Sequence, residues 1–327
     1  MHGVLKVKTS EEKARELKAK EKIKIDEYRS LVNAYTEHRK LNEFNDNSLL
    51  VTKKVLEINP EYYTVWNFRR DTINHFATVK DNETMQTLYT SEMKFIEECI
   101  QRYTKSYWVW YHRKWISQRI DKCDWDRELK LCSKLLDLDL RNCKLYILNS
   151  KESQRQSIAK VHCWGYRRFV GERSNIALKK EFDYTTVKIE QNFSNYSAWH
   201  QRSALLPKMY TEPTELFDCL VQEFELVRNA AFTEPKDQST WIYHKWLVGT
   251  IKTIPNCNYK EVLEGEIVAI NELLEIEPDC KWPIYTLLTL KMELGNSTKE
   301  ELQSLLNNLK SIDSDHIKYY ESLETQI

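Results

Sequence analysis

Apolar positions recur along the chain at the three-to-four-residue spacing of an amphipathic helix, and no stretch shows the strict alternation of a half-buried strand. In SLLVTKKVLEINP the apolar set is Leu49, Leu50, Val55, Leu56 and Ile58. In DRELKLCSKLLDLD it is Leu129, Leu131, Cys132, Leu135, Leu136 and Leu138, and in KEVLEGEIVAINELLEIEP it is Val262, Ile267, Ile270, Leu273 and Leu274. Asn59-Pro60, Glu234-Pro235 and Glu277-Pro278 end three such helices, because the residue before a proline is pushed out of the α region. Each is followed by a short turn and a second helix led by tryptophan.

That second helix carries an internal repeat. A polar stretch, an aromatic and then Trp-x-x-Arg occur in NPEYYTVWNFRR around Trp66, TKSYWVWYHRKW around Trp110, HCWGYRRFV around Trp164 and SNYSAWHQRS around Trp199. KDQSTWIYHKW around Trp241 has His244 in place of the arginine, and EPDCKWPIYTLL around Trp282 is a weaker sixth copy. The gaps of 44, 54, 35, 42 and 41 residues suit helix-pair units of an α-solenoid. Trp and Arg at i and i+3 share a helix face. The indole buries about 200 Å² against the neighbouring pair. The guanidinium is then free to lie on a ring or to meet a carboxylate of the next helix. Trp66/Arg69, Trp110/Arg113, Trp164/Arg167, Trp199/Arg202 and Trp241 are therefore read as packing residues of the repeat.

Composition sharpens this reading. Six glycines and seven prolines in 327 residues leave few tight turns, so the chain is expected to be all-α. Lys and Arg total 49 and so do Asp and Glu, which argues against nucleic-acid binding by counterion release. Mean hydropathy is −0.63 and no window approaches 18 apolar residues, so no membrane span is expected. The charged start MHGVLKVKTSEEKARELKAKEK lacks the apolar core of a secretory signal. Eight cysteines without a CxxC pair read as reduced thiols, and the expected location is cytoplasmic. The eight histidines form neither HxxxH nor a Cys/His cluster, and no P-loop, GxGxxG or GxSxG is present. No metal or cofactor site is expected on this chain.

The Trp-x-x-Arg hairpin, with an Asn/Ser-Tyr shortly upstream, resembles the protein prenyltransferase α-subunit repeat over roughly residues 50–290. Within that family, MHGVLKVKTSEE, NFSNYSAWHQRSALLP (192–207) and ELVRNAAFTEPKDQSTWIYHKWLVG (225–249) resemble the type-2 (Rab) geranylgeranyltransferase branch. The resemblance implies a superhelical crescent of helical hairpins wrapped around a β subunit, which carries the catalytic zinc and the isoprenoid pocket. There a substrate cysteine thiolate attacks C1 of geranylgeranyl diphosphate. The further partners implied are Rab GTPases and the Rab escort protein that presents them. The chain alone is expected to be inactive, and to dissolve poorly because its partner surface lies open. Animal members also carry an immunoglobulin-like insert and leucine-rich repeats. Here the chain runs from Leu247 directly to the EPDCKW repeat, so neither is expected.

On this side of the chemistry, fixed cations in the turn before a Trp helix would stabilise the leaving diphosphate, helped by the helix N-terminus. The family's basic residue there matches Lys105, with Tyr107 as its companion, and Arg141 in LDLRN. The resemblance also lets the N-terminal segment reach the partner's active site, which makes His2 a possible autoinhibitory zinc contact.

The 54-residue gap is an outlier. Family members run from Asp-x-Arg-Asn-Phe directly into His-Cys-Trp, whereas here residues 143–161 intervene between Asn142 and His162. One reading is a surface insertion, which solenoid turns tolerate because loop closure grows slowly with length. The other is a retained intron. Cys-Lys is encodable as TGT AAG, with a splice donor, and Lys-Val as AAA GTT, with an acceptor. Excision would leave a phenylalanine codon and restore RNFHCWGYRRFV. The expected organisation is a helical lead over 1–40, the repeat solenoid over 41–298 with its insert at 143–161, and a helical closing segment over 299–327. Two alternatives stay open: the α subunit shared by farnesyltransferase and type-1 geranylgeranyltransferase, and a tetratricopeptide-like peptide scaffold without enzymatic function.

Overall fold

In the computed structural model the backbone is described for residues 11–143 and 150–327, and side chains for 15–137 and 162–327. Up to Ser174 the helices are α1 (Glu11–Lys40), α2 (Asp46–Ile58), α3 (Tyr63–Val79), α4 (Asn82–Arg102), α5 (Tyr107–Ser117), α6 (Trp125–Cys143) and α7 (Ser150–Arg173). Beyond it come α8 (Leu178–Gln191), α9 (Tyr196–Met209), α10 (Pro213–Thr233), α11 (Gln238–Ile251), α12 (Tyr259–Ile276), α13 (Lys281–Leu294), α14 (Lys299–Ile312), a 3₁₀ turn (Ser314–His316) and α15 (Ile317–Glu324). No strand occurs among the described residues.

Local chemistry fixes many of these boundaries. Asn45, Asp81, Asn195 and Asp237 cap α2, α4, α9 and α11 by accepting a backbone N–H of the first turn, and Thr298 with Glu301 forms a capping box on α14. α2, α10 and α12 stop at the residue before Asn59, Glu234 and Glu277, each of which precedes a proline. Gly295 closes α13 at φ +64°, where a side chain would be strained.

The chain gathers into two compact units, residues 1–174 and 175–327. In the first, α2 pairs with α3, α4 with α5 and α6 with α7; in the second, α8 pairs with α9, α10 with α11 and α12 with α13, followed by α14 and α15. Within each unit the second helices also pack on one another, α3 on α5 on α7 and α9 on α11 on α13.

The repeat residues build this stacking. Each indole N–H donates to the carbonyl six residues upstream: Trp66 to Pro60 (2.8 Å), Trp110 to Thr104 (3.0 Å), Trp199 to Phe193 (2.8 Å) and Trp241 to Pro235 (2.8 Å). The turn is thereby tied to the helix it opens. Three residues further on, Arg69 grips Glu92, Arg113 grips Glu128 at 2.7 and 2.8 Å, and Arg202 grips Glu223 at 2.6 Å through two nitrogens. His244 meets Glu266 at 3.0 Å in the same place. The glutamate lies on the first helix of the next hairpin, and a residue two past the next Trp completes it. His112 reaches Glu92 (3.2 Å), Tyr166 donates to Glu128 (2.8 Å) and Tyr243 donates to Glu223 (2.7 Å). That same residue packs its ring on the preceding tryptophan, with centroids at 4.7 Å for Trp66–His112, 5.6 Å for Trp110–Tyr166 and 4.8 Å for Trp199–Tyr243. The arginine also reaches back, Arg69 to Thr52 (2.8 Å), Arg167 to Ser133 (2.8 Å) and Arg202 to Thr186 (2.7 Å). One buried carboxylate thus holds three helices. Both charges are hydrogen-bonded, the condition under which a buried pair is tolerated.

Three details differ from the sequence expectations. Leu50 and Ile58, counted in the apolar stripe of α2, are each 51% exposed, and Val51 and Thr52 are buried instead. In the weak sixth copy, Trp282 is only half-buried, as the second residue of α13. The Trp of α3, α5, α9 and α11 stands three residues past the helix start, and in α13 that position belongs to Ile284, 1% exposed. Tryptophan was matched by residue type, whereas packing selects by register. Finally, Trp164 lies deep inside α7, which begins at Ser150. Part of the anomalous segment, residues 144–149, lies outside the described residues, as does His2.

Candidate functional site

The turn from α4 into α5 places Lys105 on the surface and buries Ser106, the residue before the first turn of α5. Tyr107 opens α5 and is 48% exposed. Its ring meets Trp108 edge-on at 5.1 Å, and Trp108 stacks at 5.5 Å on Tyr63 of α3. Tyr107 also approaches Tyr111 at 6.0 Å and His162 of α7 at 5.6 Å. Beneath this aromatic group a cavity of about 520 Å³ opens between α5 and α7, walled chiefly by Tyr107, Tyr111, Lys114, Trp115, His162 and Arg168. Arg70 of α3 lies over the Tyr111 ring at 5.0 Å.

Its electrostatics favour an anion. Burial lowers the pKa of His162, so the imidazole is neutral at neutral pH and offers a donor and an acceptor rather than a charge. Burial lowers Arg168 and Arg70 as well, yet a guanidinium keeps its proton in proteins, so both remain cations. Desolvated cations beside aromatic rings interact with a multiply charged oxyanion more strongly than solvated ones.

Of the residues singled out in the sequence, Tyr107 lines this cavity, and Lys105 stands two positions before it without being among the lining residues. The Arg141 side chain and His2 lie outside what is described. Tyr111, Lys114, His162 and Arg168 were missed. Tyr107, Tyr111 and Lys114 follow helical spacing on one face of α5, with Gln118 just past its end, Trp110 beside them at the cavity and Arg113 turned away from it, and that spacing was the available signal. Among the described residues no group of three or more His, Cys, Asp or Glu could hold a metal ion, and no helix is long and apolar enough to cross a membrane.

Buried Trp-x-x-Arg hairpins of this kind define a protein prenyltransferase alpha subunit repeat protein, and the model of that repeat family matches residues 46–76, 89–120, 178–209 and 220–251. A Dictyostelium discoideum protein named geranylgeranyl transferase type-2 subunit alpha is 56% identical over 329 aligned residues, covering 100% of both chains. Its human namesake is 39% identical over 255 residues, covering 76% of this chain and 42% of the human protein, so this chain spans less than half of the mammalian relatives' length. A Candida albicans namesake is 32% identical, covering 85% of this chain and 82% of its own. The chain belongs to the geranylgeranyl transferase type-2 alpha-subunit family. A solved chain of Candida albicans protein geranylgeranyltransferase-I complexed with GGPP shares the fold at TM-score 0.66 and 19% identity, covering 92% of this chain and 90% of that one. The fold is thus the all-α helical-hairpin solenoid of prenyltransferase α subunits.

Proposed function

We propose that this chain pairs with a zinc-bearing β subunit to form a Rab geranylgeranyltransferase, which transfers geranylgeranyl from its diphosphate to C-terminal cysteines of Rab GTPases held by Rab escort protein. Full-length identity of 56% to a type-2 α subunit carries the proposal, and the electropositive, aromatic-walled cavity at Tyr107 supports it. The substrate's own cysteine would react as its thiolate, its proton lost to solvent and its charge stabilised by the zinc held in the partner. The sulfur forms a bond to C1, the C1–O bond breaks, and diphosphate leaves with its negative charge increased. This chain's part is electrostatic. Lys105, with Tyr107 beside it, would meet the departing diphosphate, and Lys114 and Arg168 would hold the surrounding field positive. Arg141, expected in a turn, lies in the last turn of α6 because that helix runs on to Cys143, and it would contribute from there, while His2 would reach the partner's zinc as an inhibitory ligand.

The helical lead over 1–40 and the closing segment over 299–327 would flank the repeat region of 41–298, and the complex would act in the cytoplasm on vesicle-transport GTPases. The test is co-expression with a type-2 β subunit and a transfer assay on a Rab with escort protein. Transfer is expected only when both chains are present, and Lys105→Ala is expected to lower kcat on the order of 10²-fold, the usual cost of removing one transition-state donor. A heterodimer that modifies only CaaX peptides would move the chain to the farnesyl and type-1 branch, and failure to pair with any β subunit would leave a peptide-binding scaffold.

A further inference from the structure

The first helix is longer than the partner it packs on. At 1.5 Å per residue the 30 residues of α1 span about 45 Å and the 13 residues of α2 about 20 Å. The pairing holds the C-terminal half of α1. Tyr35, 2% exposed, meets the rings of Tyr62 and Phe68, each with centroids at 5.8 Å. The Tyr28 hydroxyl accepts from the Asn59 side chain, just past the end of α2, at 3.1 Å. From Arg15 to Glu27, by contrast, every residue of α1 is exposed. The helix continues beyond its support.

The chemistry of this overhang is ordered. At about 100° per residue, Leu17 and Ile25 extend the stripe by which Tyr28 and Tyr35 face the hairpin, yet they stand 55% and 44% exposed. Lys18 and Lys22 fall on one shoulder of that stripe, Lys20 and Lys24 on the other, and Glu16, Asp26 and Glu27 on the far side. Ile23 lies off the stripe and Glu21 interrupts it. Residues 15–24 hold five Lys or Arg and two Glu, in a chain whose formal net charge is zero.

That arrangement selects among occupants. A protein groove recognises a helix by apolar anchors one and two turns apart, and Glu21 stands one turn from Leu17, where the second anchor belongs. A second copy of this chain would set lysine shoulders against lysine shoulders. An anionic bilayer meets neither obstacle. Lysine stems lie along the apolar boundary while their ammonium groups reach headgroup phosphates, and a short apolar stripe enters shallowly. Roughly four to eight Lys or Arg on one helix is the scale at which anionic headgroups are recognised. We propose that the overhang of α1, residues 15–27, is a peripheral contact for anionic phospholipid, with Lys18, Lys20, Lys22 and Lys24 at the headgroups and Leu17 and Ile25 at the acyl boundary. The proposal needs only α1 and stands apart from the transfer reading above.

The test is flotation of the full chain with vesicles, in which bound chain rises and aggregated chain sinks. The chain is expected to rise with vesicles of phosphatidylcholine containing about one-third phosphatidylserine, to stay behind with phosphatidylcholine alone, and to be released by high salt. A lysine at an anionic leaflet is worth about fivefold in partition, so Lys18→Glu with Lys22→Glu, or Lys20→Glu with Lys24→Glu, is expected to lower it at least about twentyfold. The melting temperature is expected to stay unchanged, since all four lysines are exposed. Glu21→Leu completes the apolar stripe and is expected to raise partition several-fold, and Lys260→Glu, an exposed reversal on α12, to leave it as it was. Equal flotation with both vesicle types, or no effect of either lysine pair, overturns the proposal. Self-association that the lysine variants abolish would give the stripe to a second copy instead. Flotation shown by the chain alone and lost on pairing with a type-2 β subunit would give it to that subunit.

Discussion

Glu92 sits between Arg69 and His112 with almost no access to water. Burial alone would raise its carboxyl; Arg69, helped by the His112 hydrogen bond, outweighs it and holds the pKa down at about 2. For His112 burial dominates and depresses the imidazole to about 4, and its Nδ1 has no hydrogen-bond partner, as befits a neutral ring donating through Nε2. Both folded values lie below their unfolded references of 6.5 for histidine and 4.5 for glutamate, so at acid pH the unfolded chain binds the protons first. Stability is expected to fall with pH from about 6.5 towards 4 through His112 and from about 4.5 towards 2 through Glu92. Thermal midpoints measured across that range check this, and His112→Gln is expected to flatten the upper part of the decline. The same clusters predict a graded series at the second unit. Arg202→Ala strands the Glu223 charge and should cost about 3–5 kcal/mol, whereas Tyr243→Phe removes one of its donors and should cost about 1.5–3 kcal/mol. Denaturant titration that finds the two equal would show that the arginine is not the principal partner. The sequence revealed half of each cluster. Trp and Arg at a fixed i, i+3 spacing are visible in one line of text, but the glutamate comes 23 residues after Arg69 and 15 after Arg113. Nothing local distinguishes it from a solvated acid.

At the level of elements, the prolines announced the ends of α2, α10 and α12, whereas nothing in the sequence announced that α7 starts at Ser150. In α9 the sequence Asn195-Tyr196-Ser197-Ala198-Trp199 places a capping asparagine before the helix and an aromatic at its first position. Excision of residues 143–161 with a phenylalanine codon left behind would give Asn142-Phe-His162-Cys163-Trp164, the same cap, the same leading aromatic and the same register. As the chain stands, α7 starts at Ser150 and Ile158, six residues before Trp164, is inside the helix, where its carbonyl is engaged by the helical ladder instead of standing in a turn as Pro60, Thr104, Phe193 and Pro235 do. The Trp164 hairpin also falls outside the four stretches matched by the repeat family. Sequencing of the transcript is expected to show the codons for 143–161 replaced by a phenylalanine codon, and a chain built that way is expected to melt no lower than the present one. A cDNA retaining those codons would establish the segment as a genuine insertion and leave Arg141 displaced from its family position. The register lesson extends to α13, where Ile284 takes the place of tryptophan. A hexad of tryptophans was legible, but the helix start that decides which of two neighbouring residues points inward was not.

For the whole chain, two properties combine. Its formal net charge is zero, so no long-range repulsion keeps copies apart near neutral pH. Large apolar side chains also stand in water: Tyr63, Tyr107 and Tyr111 in one unit and Ile242 and Tyr319 in the other are each between 41% and 51% exposed. Those of the first unit line or border the cavity between α5 and α7, and those of the second line one between α11, α13 and α15, so the surface proposed to serve the chemistry would also be an aggregation liability. Produced alone, the chain is expected to be largely insoluble at micromolar concentration, and co-production with a type-2 β subunit is expected to restore it to the soluble fraction. Binding that partner only in the folded state adds about 2.7 kcal/mol when the partner stands at 100 times its Kd, so the melting temperature should rise with partner concentration. Metal removal separates the two chains' contributions. A chelator is expected to abolish transfer by the heterodimer while leaving the melting curve of this chain by itself unchanged, because among its described residues no cluster of metal-ligating side chains contributes to folding. A chelator that lowers the melting temperature of the isolated chain would place a metal here after all, and would reassign the division of labour between the subunits.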